Sequence, residues 1–271
     1  MDKDPADNAP VLRFRLPLAF AGGMVIGVLG GLIGLGGAEF RLPLLIGLFG
    51  FAALPAVILN KAMSLVVVAS ALVFRTKAVP VGELSGHWPI VANLLAGSLL
   101  GAWLGAAWAV RMSSRTLYRV LAVLLVLIAG ALLAGHGGGD GIPALDGTAL
   151  VVAGAAAGFG IGAVASLMGV AGGELLIPTL VMLFGCDLKL AGSLSLCVSL
   201  PTMLAGFTRY SRDGSFSVLG DNGRFVAAMS AGSFAGAGIG GLLLGVVPDA
   251  VLLPLLAAIL IVSAFKVWQH Q

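Results

Sequence analysis

Gly34-Leu35-Gly36-Gly37-Ala38-Glu39-Phe40-Arg41-Leu42-Pro43 opens a stretch that runs on, apolar, to Phe49-Gly50. The same plan returns as Gly169-Val170-Ala171-Gly172-Gly173-Glu174-Leu175-Leu176-Ile177-Pro178 and ends at Phe184-Gly185. In each copy a glycine cluster interrupts an apolar segment, and a glutamate and then a proline follow. Glycine clusters favour leaving the helix, so each copy predicts two partial helices joined by a break. The copies lie 135 residues apart, and at that offset 12 of the 28 positions from 23 to 50 are identical. The register extends outward. Gly23 and Gly27 fall on Gly158 and Gly162, Ala56 and Ser64 on Ala191 and Ser199. Gly97, Gly101 and Gly105 fall on Gly232, Gly236 and Gly240. Apolar composition could align scattered Leu and Val, but not Glu, Pro and a glycine ladder together. The chain is a duplication.

Its solvent is lipid. Of 271 residues 59% are hydrophobic and 10% charged, with a mean hydropathy of +1.09; a soluble domain carries about 25% charged residues. Runs near the ~20 residues that cross a bilayer recur throughout, and no segment is left for a soluble domain. The expected class is an all-α integral membrane protein of two tandem repeats. The N-terminal repeat covers 1–135: a tail at 1–15, a hairpin at 16–50, and helices at 56–74, 89–110 and 116–135. The C-terminal repeat covers 136–271: a hairpin at 148–185 and helices at 190–208, 224–246 and 250–268. The polar tail lacks a small-residue cleavage site after the apolar run that follows, so it reads as a retained cytoplasmic segment.

The hairpin segments are too long for one helix and too short for two full spans. They read as partial helices, 16–33 with 38–50 and 148–167 with 173–185, whose tips lie inside the membrane. Each half then crosses three times besides its hairpin, and an odd number inverts the second half relative to the first. Of the 15 Lys and Arg, ten then fall on the side of both termini, three opposite, and two (Arg41, Lys61) within apolar segments. The positive-inside rule puts both termini in the cytoplasm. Parallel repeats give nine against four, so the preference for inversion rests mainly on segment length.

Non-helical backbone at membrane depth is tolerated only where protein or a wet cavity surrounds it. The breaks free backbone N–H groups at the start of each second half-helix, and with the helix dipole these donors suit an anion. Candidate substrate contacts are therefore Gly36, Gly37 and Ala38 at one tip and Gly172 and Gly173 at the other. Glu39 and Glu174 are equivalent carboxyls in the first turn that follows; an acid inside the membrane is costly and usually functional. They are expected to couple protons or to gate, and capping their own helices is the alternative. Arg41 and Lys61 have no basic counterpart, since Leu176 and Leu196 stand in the second half. Both are candidates for meeting the anion. Pairing with a glutamate is the other reading for Arg41, snorkelling to the interface for Lys61. Asn60 and Ser64, with Ser193, Ser195 and Ser199 and the neighbouring Thr202, supply further polar ligands on the helix after each hairpin.

The glycine ladders read as close-packing faces; Trp88, Trp108 and Trp268 read as interfacial anchors. Cys186 and Cys197 show no metal or redox spacing and read as small packing residues. No G-x-x-x-x-G-K-[ST] phosphate loop is present, so ATP does not drive the process directly. The three histidines are placed in loops or at the end of the chain and assemble no catalytic set. No cofactor, nucleotide or nucleic acid is called for, and no enzymatic activity; a homodimer stays open.

The duplicated glycine break followed by proline, together with Ala191-Gly192-Ser193-Leu194-Ser195 after the second copy, resembles the TauE/SafE sulfite exporter family. Two positions depart from that pattern: Asn60-Lys61 replaces a small Ser/Thr segment in the first half, and Ala38 replaces a third glycine. The resemblance spans nearly the whole chain. It implies a multi-pass protein of the bacterial inner membrane that carries sulfite, sulfoacetate or a related sulfonate. An anion channel is the alternative reading, and a membrane-embedded enzyme a more distant one.

Overall fold

The computed structural model describes residues 16–33, 37–75, 86–134, 145–212, 216–242 and 249–269. Within them the regular elements are all helices: α1 (Leu16–Ile33), α2 (Ala38–Gly47), α3 (Ala53–Arg75), α4 (Trp88–Arg111), α5 (Ser114–Ala134), α6 (Gly147–Met168), α7 (Gly173–Phe184), α8 (Leu188–Ser211), α9 (Ser217–Asp221), α10 (Gly223–Leu242) and α11 (Asp249–Gln269). Gly34, Leu35 and Gly36, expected to form the first tip, lie outside the described residues, as do the tail 1–15 and positions 243–246 of the expected helix 224–246. The short α9 occupies what reads from sequence as a polar loop.

Both breaks turn on left-handed glycines. Gly37 (φ 69°) precedes α2, and its equivalent Gly172 (φ 80°) precedes α7. That backbone costs an ordinary residue about 1–2 kcal/mol, and glycine adopts it freely. Pro43 and Pro178 lie inside α2 and α7. Proline has no N–H, so neither offers a helical hydrogen bond to the carbonyl four residues earlier, that of Glu39 or Glu174. The first turn of each half-helix thus keeps backbone donors and an acceptor outside the helix ladder. The second partial helix of the first hairpin ends at Gly47, short of the expected Gly50. The Leu48 and Phe49 amides both donate to the Leu44 carbonyl, and Gly50 takes φ 73°.

The halves exchange helices. α1 packs along α10, and α4 along α6. A Cβ at Gly23 would strike the Met229 carbonyl, and one at Gly27 the Ser233 carbonyl; Gly158 and Gly162 stand in the same relation to Leu94 and Ser98. Gly97 and Gly101 abut the carbonyls of Ala155 and Phe159, while Gly232 and Gly236 abut those of Phe20 and Met24. Each contact recurs when 135 is added to the first-half residue and subtracted from the second-half one. Without side chains at these positions the backbones touch, which is how membrane helices gain packing where lipid supplies no hydrophobic drive.

Large apolar side chains also face outward, and a few polar ones are buried within an otherwise apolar core. Val152 (68% exposed), Leu100 (64%) and Phe265 (64%) stand on the outside, while Glu39, Arg41, Asn60 and Lys61 are fully buried. Among the described residues, α4, α6 and Leu190–Ser211 of α8 are long and apolar enough to cross a membrane, and shorter apolar helices accompany them. Trp88, Trp108 and Trp268 are about half exposed, as interfacial anchors require. Cys186 is a buried free thiol within an apolar cluster, and Cys197 packs at that cluster's edge. The chain folds as an all-helical, multi-pass membrane protein whose centre is polar.

Candidate functional site

Arg41 projects from the second turn of α2 into that centre. Its guanidinium donates to Asn60 Oδ1 at 3.4 Å, Ser64 Oγ at 3.2 Å and Ser233 Oγ at 3.4 Å. Asn60 and Ser64, four residues apart, share one face of α3. Ser233 arrives from α10 in the other half. All three partners are uncharged, and the Arg41 Nε–H has no partner among the described residues. A buried cation is ordinarily paired with a carboxylate. Glu39 lies close enough to interact electrostatically, yet no carboxylate oxygen among the described residues accepts a hydrogen bond from Arg41.

Asn60 ties this cluster to the breaks. Its amide Nδ2 donates to the Ala38 carbonyl at 3.0 Å and to the Met168 carbonyl at 3.1 Å. One side chain thereby joins the start of α2 to the end of α6. Gly37, Ala38, Gly172 and Gly173 are all buried.

Glu39 and Glu174 meet across the interface between the halves. They are equivalent residues of the two halves, close enough to interact with each other. Both are buried, and none of their four carboxyl oxygens has a hydrogen-bond partner of good geometry among the described residues.

Lys61 sits apart. It is fully buried, which removes snorkelling as its explanation. Its ammonium donates to Ser166 Oγ at 3.0 Å and lies 6.0 Å from the centre of the Tyr210 ring, a cation–π distance. Tyr210 in turn donates to the Ser166 carbonyl at 2.9 Å. Gly206 leaves the ammonium its room, since a Cβ there would strike both Ser166 Oγ and Lys61 Nζ. Arg41 and Lys61 therefore bond to different sets of partners.

The polar face of α8 is less engaged. Ser195 Oγ donates back to the Gly192 carbonyl at 2.9 Å, and Ser199 Oγ is buried without a partner among the described residues. Ser193 is also buried. Thr202 gives its hydrogen to the Val198 carbonyl at 2.7 Å, so in its 2.7 Å contact with Ser98 it accepts.

The profile of the sulfite exporter TauE/SafE family matches residues 3–132 and 153–271. The chain belongs to that family. It is a family of membrane transporters, and this member shares with the probable membrane transporter protein YunE of Bacillus subtilis (strain 168) 30% identity over 128 residues. That match covers 46% of this chain and 44% of the relative, less than half of either. No solved structure matches.

In this TauE/SafE protein the residues that sequence reasoning missed come from the partner half. Ser233 and its equivalent Ser98 each follow a ladder glycine directly, Gly232 and Gly97. Hydroxyls at matched places in both ladders were a readable signal of a polar contact. Ser166 and Tyr210 carried no such signal, since their equivalents are Gly31 and Arg75.

Proposed function

We propose that this protein is a proton-coupled secondary carrier that moves a small sulfur oxyanion, of the sulfite, sulfoacetate or sulfonate class, across the bacterial inner membrane. The observation that carries the reading is Arg41: a fully buried guanidinium held by an amide and two hydroxyls, with one N–H unpartnered. A guanidinium presents a planar fork of donors that fits an oxyanion. Asn60, Ser64 and Ser233 are neutral groups that can turn toward the same oxygens. The first-turn amides of α2 and α7 add donors of the kind transporters use at broken helices. Membership of the sulfite exporter family supports the sulfur chemistry. Enclosure of every polar group in the centre supports a carrier over an open channel.

In this reading the repeats are inverted about an axis in the membrane plane. What supports it is the run of α3 against α8. Lys61, early in α3, meets Gly206 and Tyr210, late in α8; their first-half equivalents, Ala71 and Arg75, are late in α3. Equivalent helices thus pass in opposite directions. Reporter fusions after Lys77 and after Arg115 should place those points in the periplasm and the cytoplasm respectively, and the reverse pair of results favours parallel repeats.

The functional test is counterflow of radiolabelled sulfite in proteoliposomes. Saturable exchange that sulfonates compete for and acetate does not is the expected result. Conductance without saturation would replace the carrier by a channel.

A further inference from the structure

We infer that Glu39 and Glu174 form one proton site that takes up a single proton with each monovalent anion, so that transport of a monoanion carries no net charge. The inference rests on the carrier reading above. Its geometry is independent of the anion's identity.

The two carboxyls are equivalent residues, both buried and with all four oxygens lacking a hydrogen-bond partner of good geometry among the described residues, and they lie close enough to interact with each other. Buried polar groups are almost always satisfied, so this pair calls for something it lacks. One proton supplies it. The protonated member gains an O–H that donates to its neighbour, and two facing carboxylates that repel become a hydrogen-bonded pair. Arg41, whose Nε–H is likewise buried and unpartnered, marks where the anion charge arrives, beside Glu39.

Few other groups can balance that charge. On α2 the ionisable residues facing the centre are Glu39 and Arg41, on α7 Glu174, on α3 Lys61 and on α8 Tyr210. Arg41 remains a cation throughout. Lys61 is turned toward Ser166 and Tyr210, away from both carboxyls, and Tyr210 spends its proton on the Ser166 carbonyl. A monoanion entering an enclosed, low-dielectric centre adds one negative charge, and an uncompensated charge there is costly. A proton from the same aqueous side, bound to a carboxylate oxygen of the pair, cancels it. Both leave together on the other side, and no bond in the anion is made or broken.

The test uses methanesulfonate, which stays a monoanion across the working pH range, in proteoliposomes holding a trapped pH indicator. Wild-type protein should move one proton with each methanesulfonate, and an imposed potassium diffusion potential should leave the initial rate unchanged. Glu39→Gln and Glu174→Gln should each still move the anion, without protons, and an interior-positive potential should speed uptake about tenfold or more. Potential-driven wild-type uptake without proton movement overturns the inference, and this arm needs no variant to fold. So does proton movement that survives in both glutamine variants, or that is lost only in Lys61→Met. If neither methanesulfonate nor sulfite moves under any gradient, the carrier reading itself fails and the inference with it.

Discussion

The hairpin helices α2 and α7 share one backbone plan and carry opposite chemistry at the same place. In α2, Arg41 reaches Asn60, Ser64 and Ser233. In α7 that position is Leu176, buried in an apolar cluster with Leu94, Leu180 and Leu194. The equivalent hydroxyls survive around it as Ser195, Ser199 and Ser98, but without a cation they bond to their own helix, to Thr202, or to nothing described. The comparison separates two roles. The glycine packing of the scaffold is symmetric, as the proposed alternating exposure requires. In the function proposed above, recognition of the anion belongs to the first half, and the carboxyl pair stands between the two.

If the scaffold is symmetric, equivalent glycines must matter equally. Gly23→Leu and Gly158→Leu each drive a side chain into a backbone carbonyl of the facing helix, which no rotamer relieves. Both variants should lose folded protein on size-exclusion chromatography in detergent. Loss in one and normal yield in the other would break the symmetry.

Where the chemistry is asymmetric, equivalent polar residues must matter unequally. Asn60 satisfies two backbone carbonyls and accepts from Arg41, so Asn60→Ala leaves several buried groups unpaired and should lower stability by about 2–4 kcal/mol. Among the described residues its counterpart Ser195 bonds to Gly192 in its own helix alone, and Ser195→Ala should cost less than about 1 kcal/mol. Equal shifts in thermal unfolding would contradict the division. The smallest effect serves as a control. Gly160 has open space where a Cβ would stand, and Gly160→Ala should change stability by no more than about 1 kcal/mol, in the stabilising direction.

Much of this frame is legible in the sequence, and for a local reason. A glycine break, a first-turn glutamate and a proline act within a few residues, and duplication displays each of them twice. The end of α2 was less legible: residues 48–50 continue the apolar run, but the helix ends at Gly47, where the Leu48 and Phe49 amides share the Leu44 carbonyl, and the chain leaves through the left-handed Gly50. The site was legible on the side of α2 and α3, where Arg41, Asn60 and Ser64 are near in sequence. Ser233 was not, because it stands 192 residues from Arg41 and no periodicity says which ladder faces which hairpin. Lys61 shows the same limit. Its place near the start of a span is compatible with reaching the interface, and only the packing of Ser166 and Tyr210 from the other half encloses it.

The most direct test is to give the first half the residue of the second. Arg41→Leu installs the side chain that Leu176 already places at the equivalent position. Sulfite binding to the purified protein in lipid nanodiscs, measured by titration calorimetry, should be saturable for wild type and weaker by about 30-fold or more for Arg41→Leu, given that truncating a buried, hydrogen-bonded charge partner costs about 2–5 kcal/mol. Sulfite affinity unchanged in folded Arg41→Leu protein would contradict the assignment of the anion site to the tip of the first hairpin.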